Sequence, residues 1–301
     1  MPRVSSRLIN GARKVSPLLP PLLKANKSIN AAKQELKWIQ QELPKHQWRD
    51  AIKRRSKLEP LQYILKSQPF GPLDIACRAG VLIPRWETEE WCFKLSDEIV
   101  KANIDSISIL DACCGTGCIP LALNYLLSLK SIENTVIAFD ISSEAINLAK
   151  ENNIKNGLQV CIKQADLLAD NLLKSLNLNL KVDLITSNPP YIPFSDYRSS
   201  LKANGIERSV RLYEPGLALI GDTEFYKALI ENLLLPLGAN GFVFELGYIE
   251  QADYVFQLLK PLKEWKVGKL YDSNNNIRCV SGWKTDSNML FIKELCSEYY
   301  N

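Results

Sequence analysis

Histidine is almost absent from this 301-residue chain, with His46 the only one. Imidazole is the usual general base near neutral pH. His46 sits in a polar stretch before Trp48, where a surface position is the plain reading. Any chemistry here must therefore run without a histidine base. The eight cysteines (Cys77, Cys92, Cys113, Cys114, Cys118, Cys161, Cys279 and Cys296) contain no Cys-x-x-Cys pair. With a single histidine to help them, this speaks against a zinc site. No secreted disulfide framework is spelled out either, and several of the cysteines read as small buried hydrophobes. No apolar run reaches membrane-spanning length, and the run at 119–129, interrupted by Asn124, reads as a core helix.

Acids are missing from the head of the chain. Residues 1–34 carry Arg3, Arg7, Arg13, Lys14, Lys24, Lys27 and Lys33 and no Asp or Glu. Of 37 basic and 33 acidic residues overall, that leaves 30 against 33 in residues 35–301, a net charge of −3. The body thus has no overall bias toward a phosphate backbone. The head reads either as a mitochondrial transit segment or as a basic helix that stays on the protein.

Apolar residues, 46% of the chain, suffice for one large domain and a small one. Ser28 can cap a helix through Leu43 whose apolar positions Ile29, Ala32, Leu36, Ile39 and Leu43 form one face. A second helix is expected over 47–57. Pro60, Pro69, Gly71 and Pro72 then punctuate two expected strands, Leu61–Leu65 and Leu73–Ala76, which read as a hairpin linker. From Ile107 strands alternate with helices. Strands are expected at 108–111, 135–140, 159–163, 182–186, 241–246, 265–270 and 277–283. The intervening helices are expected at 118–129, 143–153, 224–235 and 249–259. This pattern implies a doubly wound α/β sheet, with an antiparallel member in the closing pair. The expected divisions are a basic segment 1–27, a helical domain 28–59, a linker 60–84 and a catalytic domain 85–301.

Four motifs carry the chemistry. Ile109-Leu-Asp-Ala-Cys-Cys-Gly-Thr-Gly117 runs from a strand through a Gly-rich turn into a helix, and any α/β protein can contain such a turn. Asp140 ends the next strand, where a carboxylate can accept from ribose hydroxyls or cap the following helix. Asp166 follows the third strand, placed either to accept from an adenine amino group, with Leu167 against the ring, or as a plain loop residue. The most specific motif is Asn188-Pro189-Pro190-Tyr191 at the end of the fourth strand. Two prolines make a rigid loop there. The carbonyl of Pro189 and the amide oxygen of Asn188 can hold one planar NH2 group while Tyr191 stacks on its plane. An amide nitrogen is a poor nucleophile because its lone pair is delocalised. Positioning it against an electrophilic methyl is then the main contribution, worth up to roughly 7–11 kcal/mol in ideal systems.

Together these motifs resemble the HemK/PrmC family of protein-(glutamine-N5) methyltransferases. The resemblance covers most of residues 28–284. It includes Pro60-Leu-Gln-Tyr-Ile64, Val81-Leu-Ile-Pro-Arg-Trp-Glu-Thr-Glu89, Tyr213-Glu-Pro-Gly-Leu-Ala-Leu219, Phe244-Glu-Leu-Gly247 and the segment 272–278. It implies a seven-stranded Rossmann-like methyltransferase domain using S-adenosyl-L-methionine, and a helical domain that helps recognise a substrate protein. That substrate would be a peptide-chain release factor, modified at the glutamine of Gly-Gly-Gln. By position the cofactor would be held by Cys113, Cys114, Gly115, Thr116, Gly117, Asp140, Asp166, Leu167 and Asn188, and the substrate by Asn188 to Tyr191. No metal, nucleic acid or membrane is expected as a partner. Two departures bear on cofactor affinity. Cys113 and Cys114 stand where the family turn has Gly and Thr, and Leu167 where an aromatic often sits. The helical head and the Arg85 region favour the branch acting on an organellar release factor, which places the protein in the mitochondrial matrix. Two rivals use the same features: a nucleic-acid adenine-N6 methyltransferase, and a catalytically silent methyltransferase fold that only docks.

Overall fold

A computed structural model describes residues 4–199 and 207–300. Arg3 of the basic head, residues 200–206 and Asn301 lie outside them. The chain opens with a helical unit of α1 (Ser6–Val15), α2 (Leu19–Asn26), α3 (Ile29–Glu42), α4 (Trp48–Arg55) and α5 (Leu61–Leu65). Ser5 and Ser28 cap α1 and α3 through side-chain bonds to the amides of Leu8 and Ala31.

The helical unit begins earlier than residue 28. Ala12, Leu19, Leu22 and Leu23 are buried in one cluster with Ala32, Leu36, Ile39, Ala51, Ile52 and Leu61. Leu19, Leu22 and Leu23 recur at helical spacing and need a partner face. The two prolines after Leu19 fall in the first turn of α2, where proline is tolerated. Glu35 ties the head to the rest, accepting from Asn26 Nδ2 at 2.6 Å and pairing with Arg55 at 2.8 Å. Arg7, Arg13, Lys14, Lys24 and Lys27 stay exposed, so the basic character lies on the outer surface of a packed unit.

The expected strand at 61–65 is a helix. Pro60 precedes it with its φ fixed near the helical value, and Lys66 ends it in the left-handed region. A five-residue apolar run contains too little period to separate the two readings. The hairpin is formed instead by β1 (Ser67–Phe70) and β2 (Leu73–Ala76).

The α/β domain follows with α6 (Trp86–Lys101), β3 (Ser106–Ala112), α7 (Cys118–Leu129), β4 (Glu133–Asp140), α8 (Ser143–Lys155), β5 (Cys161–Gln164), α9 (Leu172–Leu176) and β6 (Leu184–Ser187). Three short helices come next: α10 (Phe194–Arg198), α11 (Arg208–Tyr213) and α12 (Thr223–Ala228). A wide π turn, Leu229–Leu234, carries α12 on into α13 (Leu235–Leu237). The chain then closes with β7 (Gly241–Glu245), α14 (Ile249–Leu259), β8 (Trp265–Tyr271), β9 (Ile277–Lys284) and β10 (Glu298–Tyr299).

Strand order is β10-β8-β9-β7-β6-β3-β4-β5. The seven strands β3 to β9 match the expected set, and the two-residue β10 adds an edge pairing to β8. Strands β7, β6, β3, β4 and β5 run parallel, and β9 is antiparallel to both its neighbours. Alternate residues of β3 feed two apolar layers. Ile107 and Ile109 join one, and Leu110 and Ala112 the other. Helices therefore cover both faces, as a parallel sheet requires. The chain order reverses between β3 and β6, and ligands of open α/β sheets bind at the strand C-termini of such a switch point. No helix among the described residues is long and apolar enough to cross a membrane.

Candidate active site

The Gly-rich turn leaves β3 at the switch point. Cys113, Gly115 and Gly117 adopt left-handed φ values of 59°, 55° and 81°. Nothing lies within 4 Å of a Cβ built on Gly115, so this part of the backbone is open to a ligand. Cys113 bears a Cβ in the same region, at a cost of roughly 1–2 kcal/mol relative to glycine. The Cys114 amide donates to the carbonyl of Phe139 at 3.0 Å, which locks the turn to β4.

Asp140 joins the two loops at the edge of the sheet. Its Oδ2 accepts from the Gly115 amide at 2.9 Å and its Oδ1 from the Ser142 amide at 2.9 Å. The cap of α8 is made by Ser142, which accepts from the Ala145 amide at 3.2 Å. Loss of solvent pushes the Asp140 pKa up, and the bonds from Ser142 and Gly115 work against that rise.

A cavity of about 170 Å³ opens here, lined by Cys113, Gly115, Asp140, Asp166, Leu167 and Asn188 among others. Asp166 holds its own loop by accepting from the Leu168 amide at 2.9 Å. The carbonyl of the buried Leu167 accepts from Asn232 of the π turn at 3.1 Å. Val81, Phe139 and Leu168 supply apolar wall. Of the five turn residues named from the sequence, Cys113 and Gly115 face this space. Cys114 and Thr116 are buried, and Thr116 instead accepts from Asn152 through its carbonyl at 3.0 Å.

A second cavity of about 330 Å³ is lined by Arg85, Glu87, Tyr191, Ile192, Glu207 and Val210. Its wall is fixed by Glu214, buried after α11, which accepts from Arg85 at 2.8 Å and from the Ile83 amide at 3.2 Å. Asn188 lines both cavities. Pro190 lines the first and Tyr191 the second, while Pro189 is buried and lines neither. The ring of Tyr191 lies against Gly247, where an added Cβ would come within 2.9 Å of it.

Four residues of the site carried no role in the sequence reading. Thr88 and Trp91 of α6 both donate to Glu245, at 2.7 Å each, and Asn188 Nδ2 donates to Thr88 at 3.2 Å. Asp111, at the C-terminal end of β3, is buried and accepts from Thr186 at 2.6 Å through Oδ1, but Oδ2 has no partner. Burial pushes its pKa up to about 8, with the charge of Asp140 adding and the Thr186 bond opposing. A lone acid within an apolar strand was the available signal for Asp111 and Glu245 alike. Among the described residues no group of three or more His, Cys, Asp or Glu side chains is arranged to hold a metal ion.

A methyltransferase-domain family model matches residues 104–239. The chain is 41% identical over 297 residues to the mitochondrial MRF1 N(5)-glutamine methyltransferase MTQ1 of Saccharomyces cerevisiae, covering 94% of this chain and 90% of that one. The chain belongs to the N5-glutamine methyltransferase family. A release factor glutamine methyltransferase of Bacillus subtilis is 34% identical over 227 residues, with 73% and 74% covered. The N-terminal domain of human METTL16, solved with SAH, superposes with a TM-score of 0.51 over 78% of this chain and 84% of that one. At 20% identity this likeness shows the shared fold.

This methyltransferase uses S-adenosyl-L-methionine, and the residues present fit it. The Asp140 carboxylate keeps lone pairs for ribose hydroxyls, and the apolar wall suits a purine.

Proposed function

We propose that this enzyme methylates the side-chain nitrogen of the glutamine in the Gly-Gly-Gln motif of a peptide-chain release factor, in the mitochondrial matrix. The observation that carries the reading is the position of Asn188, which lines both the cavity at the Gly-rich turn and a separate cleft. A donor in one and an acceptor in the other meet at this residue. The names of the S. cerevisiae and B. subtilis relatives supply the substrate class and, for the former, the compartment.

The cofactor supplies an electrophilic methyl on a sulfonium. The chain's own part is to hold the nucleophile. Asn188 Oδ1 and the carbonyl of Pro189 accept from the two N–H bonds of the substrate amide, and Tyr191 presses on its plane. The nitrogen lone pair is then aimed at the methyl without a histidine base. Asp140 holds the ribose, with Asp166 and Leu167 on the adenine side. Incubation with labelled cofactor and a recombinant mitochondrial release factor tests the reading. The label should appear on the Gly-Gly-Gln glutamine by mass spectrometry. Label elsewhere, or on RNA alone, would overturn it.

A further inference from the structure

Glu245 ends β7 with its side chain fully buried, 157 residues from Thr88 in sequence. Three donors converge on it. Thr88 Oγ1 and Trp91 Nε1 each lie 2.7 Å from Oε2, and the Tyr191 hydroxyl lies 3.4 Å from Oε1. An indole nitrogen can only donate, so Oε2, which takes the Trp91 N–H, is an acceptor. The single hydroxyl proton of Thr88 is therefore committed to Glu245. Its oxygen remains free to accept, and the group facing it at 3.2 Å is Asn188 Nδ2.

That sequence of donors removes an ambiguity that matters for the reaction. An asparagine amide can sit in two orientations related by a flip, with NH2 and oxygen exchanged. Flipped, Asn188 would present a donor to the donor N–H of a substrate amide. With NH2 committed to Thr88, the oxygen is the polar atom of Asn188 left to serve the cavities it lines.

We propose that Glu245, acting through Thr88, fixes the orientation of the Asn188 amide while it holds Tyr191 directly, so that one buried carboxylate sets both arms of the substrate loop. The inference deepens the glutamine-methylation reading and rests on it. Thr88 and Glu245 line neither cavity and are positioning residues. Burial pushes the Glu245 pKa up, and the bonds from Trp91 and Thr88 draw it back toward the acceptor form.

Single-turnover methylation of a recombinant release factor bearing Gly-Gly-Gln tests this in the full-length enzyme. Thr88→Val keeps the shape and removes the hydroxyl. It should slow the methyl-transfer step by roughly 10- to 100-fold, the scale of one hydrogen bond to a charged group. Cofactor affinity should stay unchanged. Thr88→Ser, which restores the hydroxyl, should recover most of the rate. The deciding measurement is the double-mutant cycle. In an Asn188→Ala background, Thr88→Val should cost little more, because the group it orients is already gone. Equal losses in both backgrounds would mean that Thr88 acts through packing, and the inference fails. A wild-type rate in a folded Thr88→Val enzyme would overturn it as well. Should the valine variant fail to fold, Thr88→Ala provides the same cycle. If wild-type enzyme leaves the glutamine unmethylated, the functional reading itself falls and the inference with it.

Discussion

Replacing Asp140 with alanine should cost the enzyme its cofactor and leave its fold. The carboxylate accepts two backbone amides, from Gly115 and Ser142, each at 2.9 Å. Removing it deprives both N–H groups of a partner, but both lie beside an open cavity where water can replace it. The raised pKa of Asp140 gives the sign of the remaining term. The folded state holds this carboxylate less well than the unfolded chain does, so deletion also relieves a cost. The two terms oppose, and the change in stability should stay near 1 kcal/mol, about one net hydrogen bond. Binding differs because ribose hydroxyls donate to an anion. Two such bonds at about 1.5–3 kcal/mol each make 100-fold weaker binding a conservative expectation. Asp140→Asn should fall between, because its amide can accept from only one of the two backbone donors and presents NH2 to the other. Calorimetric titration with S-adenosylhomocysteine, alongside thermal melting, reads both quantities. Affinity within about threefold of wild type in a folded Asp140→Ala protein would remove Asp140 from the ribose site. A collapse of the melting temperature would make it a structural clamp instead.

Asn188→Ala should lower the single-turnover rate by about 100-fold or more while cofactor affinity changes little, since the lost contact acts through positioning. Asn188→Asp, which keeps an acceptor oxygen, should be impaired but faster than alanine, and a wild-type rate in the alanine variant would make the loop structural. Asp111 is protonated in the folded state below about pH 8 and in the unfolded chain only below about 3.8, so its contribution is present at low pH and lost as pH rises between those values. Denaturant unfolding of the cofactor-free enzyme should therefore show stability falling with pH, by at most about 1.4 kcal/mol per unit for this one proton. Asp111→Asn should flatten that slope, and an unchanged slope would refute the assignment. Deleting residues 1–27 removes three buried leucines from the helical core, each worth about 2 kcal/mol. The truncated protein should therefore be cleaved rapidly by protease within 28–66, and wild-type resistance would show that the head is dispensable.

Helices α7 and α14 begin and end at the residues read from sequence because both are long, strongly patterned and cleanly bounded. A left-handed Gly117 precedes one, and at the start of the other the Tyr248 amide donates to Gln251 Oε1 at 3.3 Å. Strand positions were legible to within about two residues, since the alternation of element types is carried by local pattern alone. Leu61–Leu65 was not legible, because five residues cannot show a period. The head misled for a different reason. Its charges are conspicuous and its leucines few, yet the leucines decide the packing while the charges merely stay in water. In the site, the residues that face the cavities were legible where they sit in loops of restricted composition, as with Gly115, Asp140 and Asn188. The residues that aim them were not. Thr88 precedes Asn188 by 100 positions and Glu245 by 157, and only the register of β7 beside β6 and the packing of α6 bring the three together. A sequence motif records which groups touch a substrate. The direction of each hydrogen bond depends on donors counted around a buried acceptor, and that count exists only in three dimensions.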